Sequence, residues 1–303
     1  MNNLYSFTSK IEWPIVLILS WTHWNESSWI NAVKRIIRKL KNWELLLSKW
    51  VLMLISWVNE VAIRNNIRWV KEDNIGILDM NRFFRSNPPK MDWYEYERSR
   101  EIMPVIESAD YLLDLHSTSW PSEPYSFAEN DSISLAEKLW IWHIVSWWWQ
   151  IQSWDGSEMT DSPLSGDIES YATAHWTIGI TFESGNHDAP DGEENAYQIA
   201  LNFMTQTWIL DESHYKKLSQ NTIKIHMTRV YKWLNDIFTY AFQIKSNFMP
   251  LKKWALIWHD GNIPVIAPTD CILVMPTLDK NSTNMATGEK NKNIFQIWLH
   301  TIK

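Results

Sequence analysis

The chain has 303 residues, a net charge of −7 and 45% hydrophobic residues. That balance disfavours non-specific nucleic-acid binding and is apolar enough for a sizeable core. No apolar run reaches the roughly 18 residues that a membrane-spanning helix needs, and Met1 to Lys10 lacks the basic-then-apolar layout of an export signal. A single cysteine, Cys271, excludes an internal disulfide framework; it reads as a buried thiol in a reducing, cytoplasmic compartment.

One count is abnormal: 22 tryptophans against 8 glycines. At the usual frequency of about 7%, roughly 21 glycines are expected. The tryptophans also stand at turns, as at Trp21, Trp24, Trp29, Trp57, Trp254 and Trp258. Turns need φ > 0 or no Cβ, which glycine supplies and tryptophan does not. The pattern is that expected of UGA codons that mean glycine but are read as tryptophan; a genuinely tryptophan-rich protein is the alternative.

In chain order, Pro14 to Ser20 reads as a buried strand, and Ser28 to Leu40 as a helix with Ile30, Val33, Ile36, Ile37 and Leu40 at helical spacing. Val51 to Ile55 is a second strand and Asn59 to Arg68 a helix with a basic end. Tyr94 to Ser108 reads as a polar helix whose Glu95, Glu97, Arg98 and Arg100 form a solvated face. Strands follow at Ala109 to His116, Ile141 to Val145 and Thr177 to Phe182, with helices at Ile133 to Leu139 and Glu194 to Leu210. Trp147-Trp148-Trp149 falls in a loop. This alternation predicts an α/β fold with a mixed, mainly parallel sheet. Past about residue 220 the pattern changes to short strands: Ile223 to Val230, Phe238 to Ile244, Ala255 to Ile257, Ile263 to Ala267 and Ile272 to Met275. These predict a small C-terminal all-β domain, residues 216–303, after a catalytic domain of residues 1–215. Asp279 to Asn293 carries no periodicity and reads as a loop.

The chemistry gathers at strand exits, where open α/β sheets collect ligands. His23 and Glu26 are three apart just beyond the first predicted strand, and an imidazole and a carboxylate aimed at one point suit a zinc ion. The same residues also suit a helix start, with Asn25 or Ser27 as the cap. His116 ends another strand and can supply a third ligand. Asp114, two residues earlier on the same strand face, can accept the imidazole's second N–H. Asn81 and Arg82 offer an amide and a guanidinium suited to a substrate carboxylate, though by chemistry alone a turn with an ordinary surface salt bridge is the more usual reading of such a pair. Arg68 can polarise a carbonyl. Glu183 ends an apolar strand before Ser184-Gly185 and can serve as a general base, or can simply be satisfied by backbone N–H groups.

Taken together, these segments resemble the aspartoacylase/succinylglutamate desuccinylase family of the zinc carboxypeptidase clan. The motifs are His23-Trp24-Asn25-Glu26, where the family has glycine second, then a loose match at Asn59-Glu60-Val61-Ala62, then Asp79-Met80-Asn81-Arg82, Asp114-Leu115-His116 and Thr181-Phe182-Glu183-Ser184-Gly185. Pro250 to Trp254 and Ile266 to Asp270 match turns of the family's C-terminal domain. The resemblance implies a zinc carboxypeptidase-like sheet with helices on both faces. It implies one zinc per chain on His23, Glu26 and His116, and Glu183 as the general base and then acid. Asn81 and Arg82 would hold the substrate carboxylate, and Arg68 would stabilise the oxyanion. The expected activity is hydrolysis of an N-acyl amino acid or related small carboxylate, with no nucleic-acid or membrane partner. A metallocarboxypeptidase and a metal-free binding homologue are the alternatives.

Overall fold

The computed structural model describes residues 3–11, 13–20, 22, 27–65, 70–72, 76–78, 80–85, 94–118, 121–153, 166–232, 237–275, 285–287 and 293–299. The chain begins with β1 (Leu4–Thr8), β2 (Ile15–Ser20), α1 (Ser27–Lys41), β3 (Val51–Ile55), α2 (Glu60–Asn65) and the small hairpin β4 (Val70–Glu72) and β5 (Gly76–Leu78). It continues through α3 (Tyr94–Glu107), β6 (Tyr111–Thr118), β7 (Tyr125–Ala128), α4 (Asp131–Lys138), β8 (His143–Ser153), α5 (Ile168–Ala174), β9 (Ile178–Asn186) and α6 (Gly192–Gln206). The last part is β-rich: β10 (Ile223–Lys232), β11 (Ile237–Tyr240), β12 (Met249–Leu251), β13 (Leu256–Asp260), β14 (Ile263–Ile266), β15 (Cys271–Val274), β16 (Met285–Thr287) and β17 (Asn293–Leu299).

The main sheet runs β1-β3-β2-β6-β9-β7-β8-β10-β17-β15-β12. From β3 to β10 it is parallel except where β7 meets β9. This is the mixed, mainly parallel sheet that the alternating pattern predicts. The strands after residue 216 divide. β10 pairs in parallel with β8, and β17, β15 and β12 extend the same sheet antiparallel. β14, β13, β11 and β16 form a second, antiparallel sheet.

Both faces of the main sheet are covered, and strict alternation decides which residue faces which layer. Val16 and Ile18 of β2 pack with Leu113, Leu115, Ile180 and Phe182 against Trp29, Val33 and Ile36 of α1 and Ala196 to Phe203 of α6. Leu17, Leu19 and Leu112 face the other way, against Ile102, Met103 and Ile106 of α3 and Ile168, Tyr171 and Ala172 of α5.

Several expectations are corrected. The α3 face is only partly solvated: Glu97 is exposed, but Glu95 and Arg98 are buried. Arg98 donates to the Val58 carbonyl at 3.1 Å, the Asn3 amide oxygen at 2.9 Å and Glu101 at 2.7 Å, so its guanidinium is a tie between α3 and the loop after β3. Charge alone does not signal exposure when each N–H finds an acceptor. Residues 147–149 lie in strand β8 rather than in a loop. The stretch read as a loop from 279 to 293 contains β16, paired with β11. β1, β7 and α5 carry too few apolar repeats to be read in advance. Among the described residues no helix is long and apolar enough to cross a membrane.

A buried amide helps to hold the link between α6 and the β-rich region. Asn202 donates to the Lys216 carbonyl at 2.7 Å and accepts from the Lys216 N–H at 2.9 Å, and Gln198 donates to its oxygen at 3.0 Å. Asn202→Leu leaves those backbone groups without their partner. It is expected to lower stability by about 1–3 kcal/mol in urea unfolding, with no change in the slope.

Candidate active site

In the parallel β6–β9 pair, Asp114 lies level with Thr181 and His116 with Glu183. Leu113, Leu115, Ile180 and Phe182 point to the α1–α6 layer, so Asp114, His116, Thr181 and Glu183 share the opposite face, with α5. His116 and Glu183 stand in the carboxyl-terminal halves of their strands. Asp114, His116 and Glu183 are buried.

His116 Nε2 lies 2.9 Å from Asp114 Oδ2. A carboxylate there holds the proton on Nε2 and fixes the ring, which makes Nδ1 the basic nitrogen. Ser20 of β2 is level with Leu115, so the chain carrying His23 and Glu26 leaves the sheet at the same end as His116. His23, Glu26, Arg68 and Asp79 lie outside the described residues. Among the described residues no group of three His, Cys, Asp or Glu side chains is arranged for a metal ion.

Asn81 and Arg82 do not follow a helix. They sit in a single 3-10 turn, Met80–Arg82, after β5. The turn is docked on the start of α5. The Asn81 side-chain oxygen accepts the Ile168 N–H at 2.9 Å, and the Phe84 N–H donates to the Gly166 carbonyl at 2.9 Å. The Asn81 side-chain oxygen is thus committed to the start of α5. Arg100 donates to the carbonyls of Phe83 and Arg85 and holds the same segment from the α3 side.

The structure adds residues that motif reading passed over. Asp167 caps α5, accepting the Ser170 N–H at 2.7 Å and the Ser170 hydroxyl at 3.0 Å. Burial raises its carboxyl above the usual range, against the lowering pull of the Ser170 N–H and the Arg82 guanidinium. Burial first, and the charge of Asp167 second, push Glu129 up to about 8. The signal for this cap was present in Asp167-Ile168-Glu169-Ser170, a cap residue followed by a short apolar repeat. Tyr125 of β7 lies level with Glu183 on its other side and packs edge-on against Phe248 at 5.1 Å. On the reverse face of β6, Ser117 Oγ meets His187 Nδ1 at 2.7 Å and ties down the segment after β9.

Residues 12–146 match the family model described as the succinylglutamate desuccinylase/aspartoacylase catalytic domain. No curated protein matches the chain. Solved structures do. The succinylglutamate desuccinylase of Vibrio parahaemolyticus superposes with a TM-score of 0.70 at 16% identity, covering 98% of this chain and 86% of that one. The succinylglutamate desuccinylase/aspartoacylase of Rhodobacter sphaeroides gives 0.68 at 14%, covering 97% and 89%. The product-bound ectoine utilization protein of Ruegeria pomeroyi gives 0.68 at 14%, covering 97% and 87%. At these identities the superpositions establish a shared fold.

Two outcomes follow from the site's surroundings. Gly166 has φ +95, and a Cβ there would lie 2.4 Å from the Arg82 carbonyl oxygen and 2.6 Å from Arg85 Nε. Gly166→Ala is therefore expected to cost about 1–3 kcal/mol in denaturant unfolding and to displace the Asn81–Arg82 turn. Glu129 binds its proton more tightly folded than unfolded, so its contribution to stability is full below about pH 4.5 and is lost as pH rises to about 8. Glu129→Gln should flatten the stability profile across that window; an unchanged slope would show that Glu129 is not held protonated.

Proposed function

We propose that this chain, whose residues 12–146 match the succinylglutamate desuccinylase/aspartoacylase catalytic-domain model, is a zinc-dependent hydrolase that removes the acyl group from an N-acyl amino acid or related small carboxylate. The observation that carries this reading is the level pairing of His116 with Glu183, with Asp114 behind the imidazole.

The donor chemistry fits a zinc ion. His116 is a buried imidazole backed by a carboxylate, the arrangement that orients a metal-binding histidine. Among the described residues the other oxygen of Asp114 is buried and accepts no hydrogen bond, so none of them diverts the acid from His116. His23, Glu26 and His116 would hold the metal. When bound, zinc supplies Lewis acidity to water and to the scissile carbonyl.

The remaining work falls to the chain's own groups. Asn81 and Arg82 hold the free carboxylate of the substrate through the amide NH2 and the guanidinium fork. Glu183 takes a proton from the attacking water as the carbon–oxygen bond forms, and returns it to the amide nitrogen as the carbon–nitrogen bond breaks. Arg68 stabilises the oxyanion that develops on the carbonyl. Residues 1–215 form the catalytic part and residues 216–303 the β-rich part that borders it.

The test is a panel of N-acetyl and N-succinyl amino acids and short peptides, followed by release of free amine from the zinc-supplemented chain. Hydrolysis of N-acyl amino acids with a free carboxylate is expected; faster cleavage of peptide ends would move the assignment to a carboxypeptidase. Glu183→Gln is expected to lower kcat by roughly 10²–10⁴-fold with little change in KM. Asp114→Asn is expected to weaken zinc binding by roughly 10–100-fold, read by competition with a chelating dye. Unchanged zinc affinity in that variant would remove Asp114 from its role.

A further inference from the structure

A helix of L-residues commonly ends with one residue in the left-handed region, and that residue is usually glycine because a Cβ is crowded there. Four helices of this chain end that way, and each places a tryptophan at the same point, two residues past its last helical residue. Trp43 follows α1 at φ 59, Trp140 follows α4 at 55, Trp176 follows α5 at 68 and Trp208 follows α6 at 59. The closing hydrogen bonds are those of a glycine-terminated helix: Glu44 N–H to the Lys39 carbonyl at 2.8 Å, Thr177 N–H to Ala172 at 3.0 Å and Ile209 N–H to Met204 at 2.7 Å.

Two further tryptophans share the conformation. Trp254, at φ 70, is the third residue of a turn closed by the Ala255 N–H on the Lys252 carbonyl at 3.0 Å. A positive φ at that position calls for glycine. Trp50, at φ 73, immediately precedes β3. Nine non-glycine residues among those described have positive φ, and six of them are tryptophan. Asparagine, the residue that best tolerates this region after glycine, supplies one of the other three.

Trp50 packs against the main core and Trp140 lies under the Lys217 ammonium, but packing does not explain the choice at the exposed positions. Trp176 is 95% exposed, Trp43 80% and Trp254 72%. Trp50 packs edge-on against Trp208 at 5.5 Å, but both belong to the same set. An indole at a left-handed, solvent-facing helix end has neither a backbone reason nor a burial reason. Trp29 and Trp258, which are fully buried, are absent from the left-handed group.

We propose that positions 43, 50, 140, 176, 208 and 254 are glycine in the protein as its own cells make it, each encoded by UGA. The required partner is a transfer RNA that pairs with UGA and is charged with glycine. None of this depends on the chemistry proposed for the site.

The test is peptide mass spectrometry of the chain isolated from its native source, read beside the codons of its gene. Glycine at all six positions, each on a UGA codon, is expected. Tryptophan in the native peptides, or UGG at these codons, overturns the proposal. A second measurement needs no native material: the chain as written is compared with a chain carrying glycine at the six positions. The six-glycine chain is expected to unfold at a higher denaturant midpoint, and an equal or lower midpoint overturns the backbone assignment.

Discussion

The parallel pairing of β6 with β9 is the constraint on which the site depends. It sets His116 level with Glu183. Because side chains alternate, a one-residue slip would send Glu183 into the α1–α6 core and bring Phe182 to the site. The apolar neighbours prevent that slip. Leu113, Leu115, Ile180 and Phe182 are all fully buried on one face, and a one-residue slip of β9 would turn Ile180 and Phe182 off it. The hydrophobic effect thus fixes the placement of two polar groups that it would otherwise exclude.

The polar groups on that face are held by local partners rather than by burial. Asp114 orients His116, Ile168 N–H orients Asn81, and Asp167 caps the helix on which Asn81 rests. Gly166 permits the contact because its backbone lies against the Arg82 carbonyl where a Cβ has no room. The short segment proposed to hold a substrate carboxylate is thus fixed by its own structural hydrogen bonds.

The tryptophans tie the gene to the backbone. A composition with 22 tryptophans and 8 glycines raises the question, but counts cannot say which tryptophans are out of place. Backbone angles can, because the left-handed region discriminates by the presence of a Cβ. The four helix ends repeat one geometry with one residue type.

The sequence by itself determined the α/β alternation, the strand exits that carry His116 and Glu183, and the pairing of Asp114 with His116, because periodicity and short spacing are local properties of the chain. It also carried the family's motifs in order, which fits the match over residues 12–146. Only the tertiary structure decided that Arg98 is a buried tie, that Asn81 is held by α5, that Asp167 and Tyr125 border the site, and that the C-terminal strands β10, β17, β15 and β12 join the main sheet. Each of these depends on residues far apart in the chain meeting through sheet register and helix docking, and neither periodicity nor motif spacing encodes which distant partner a polar group will find.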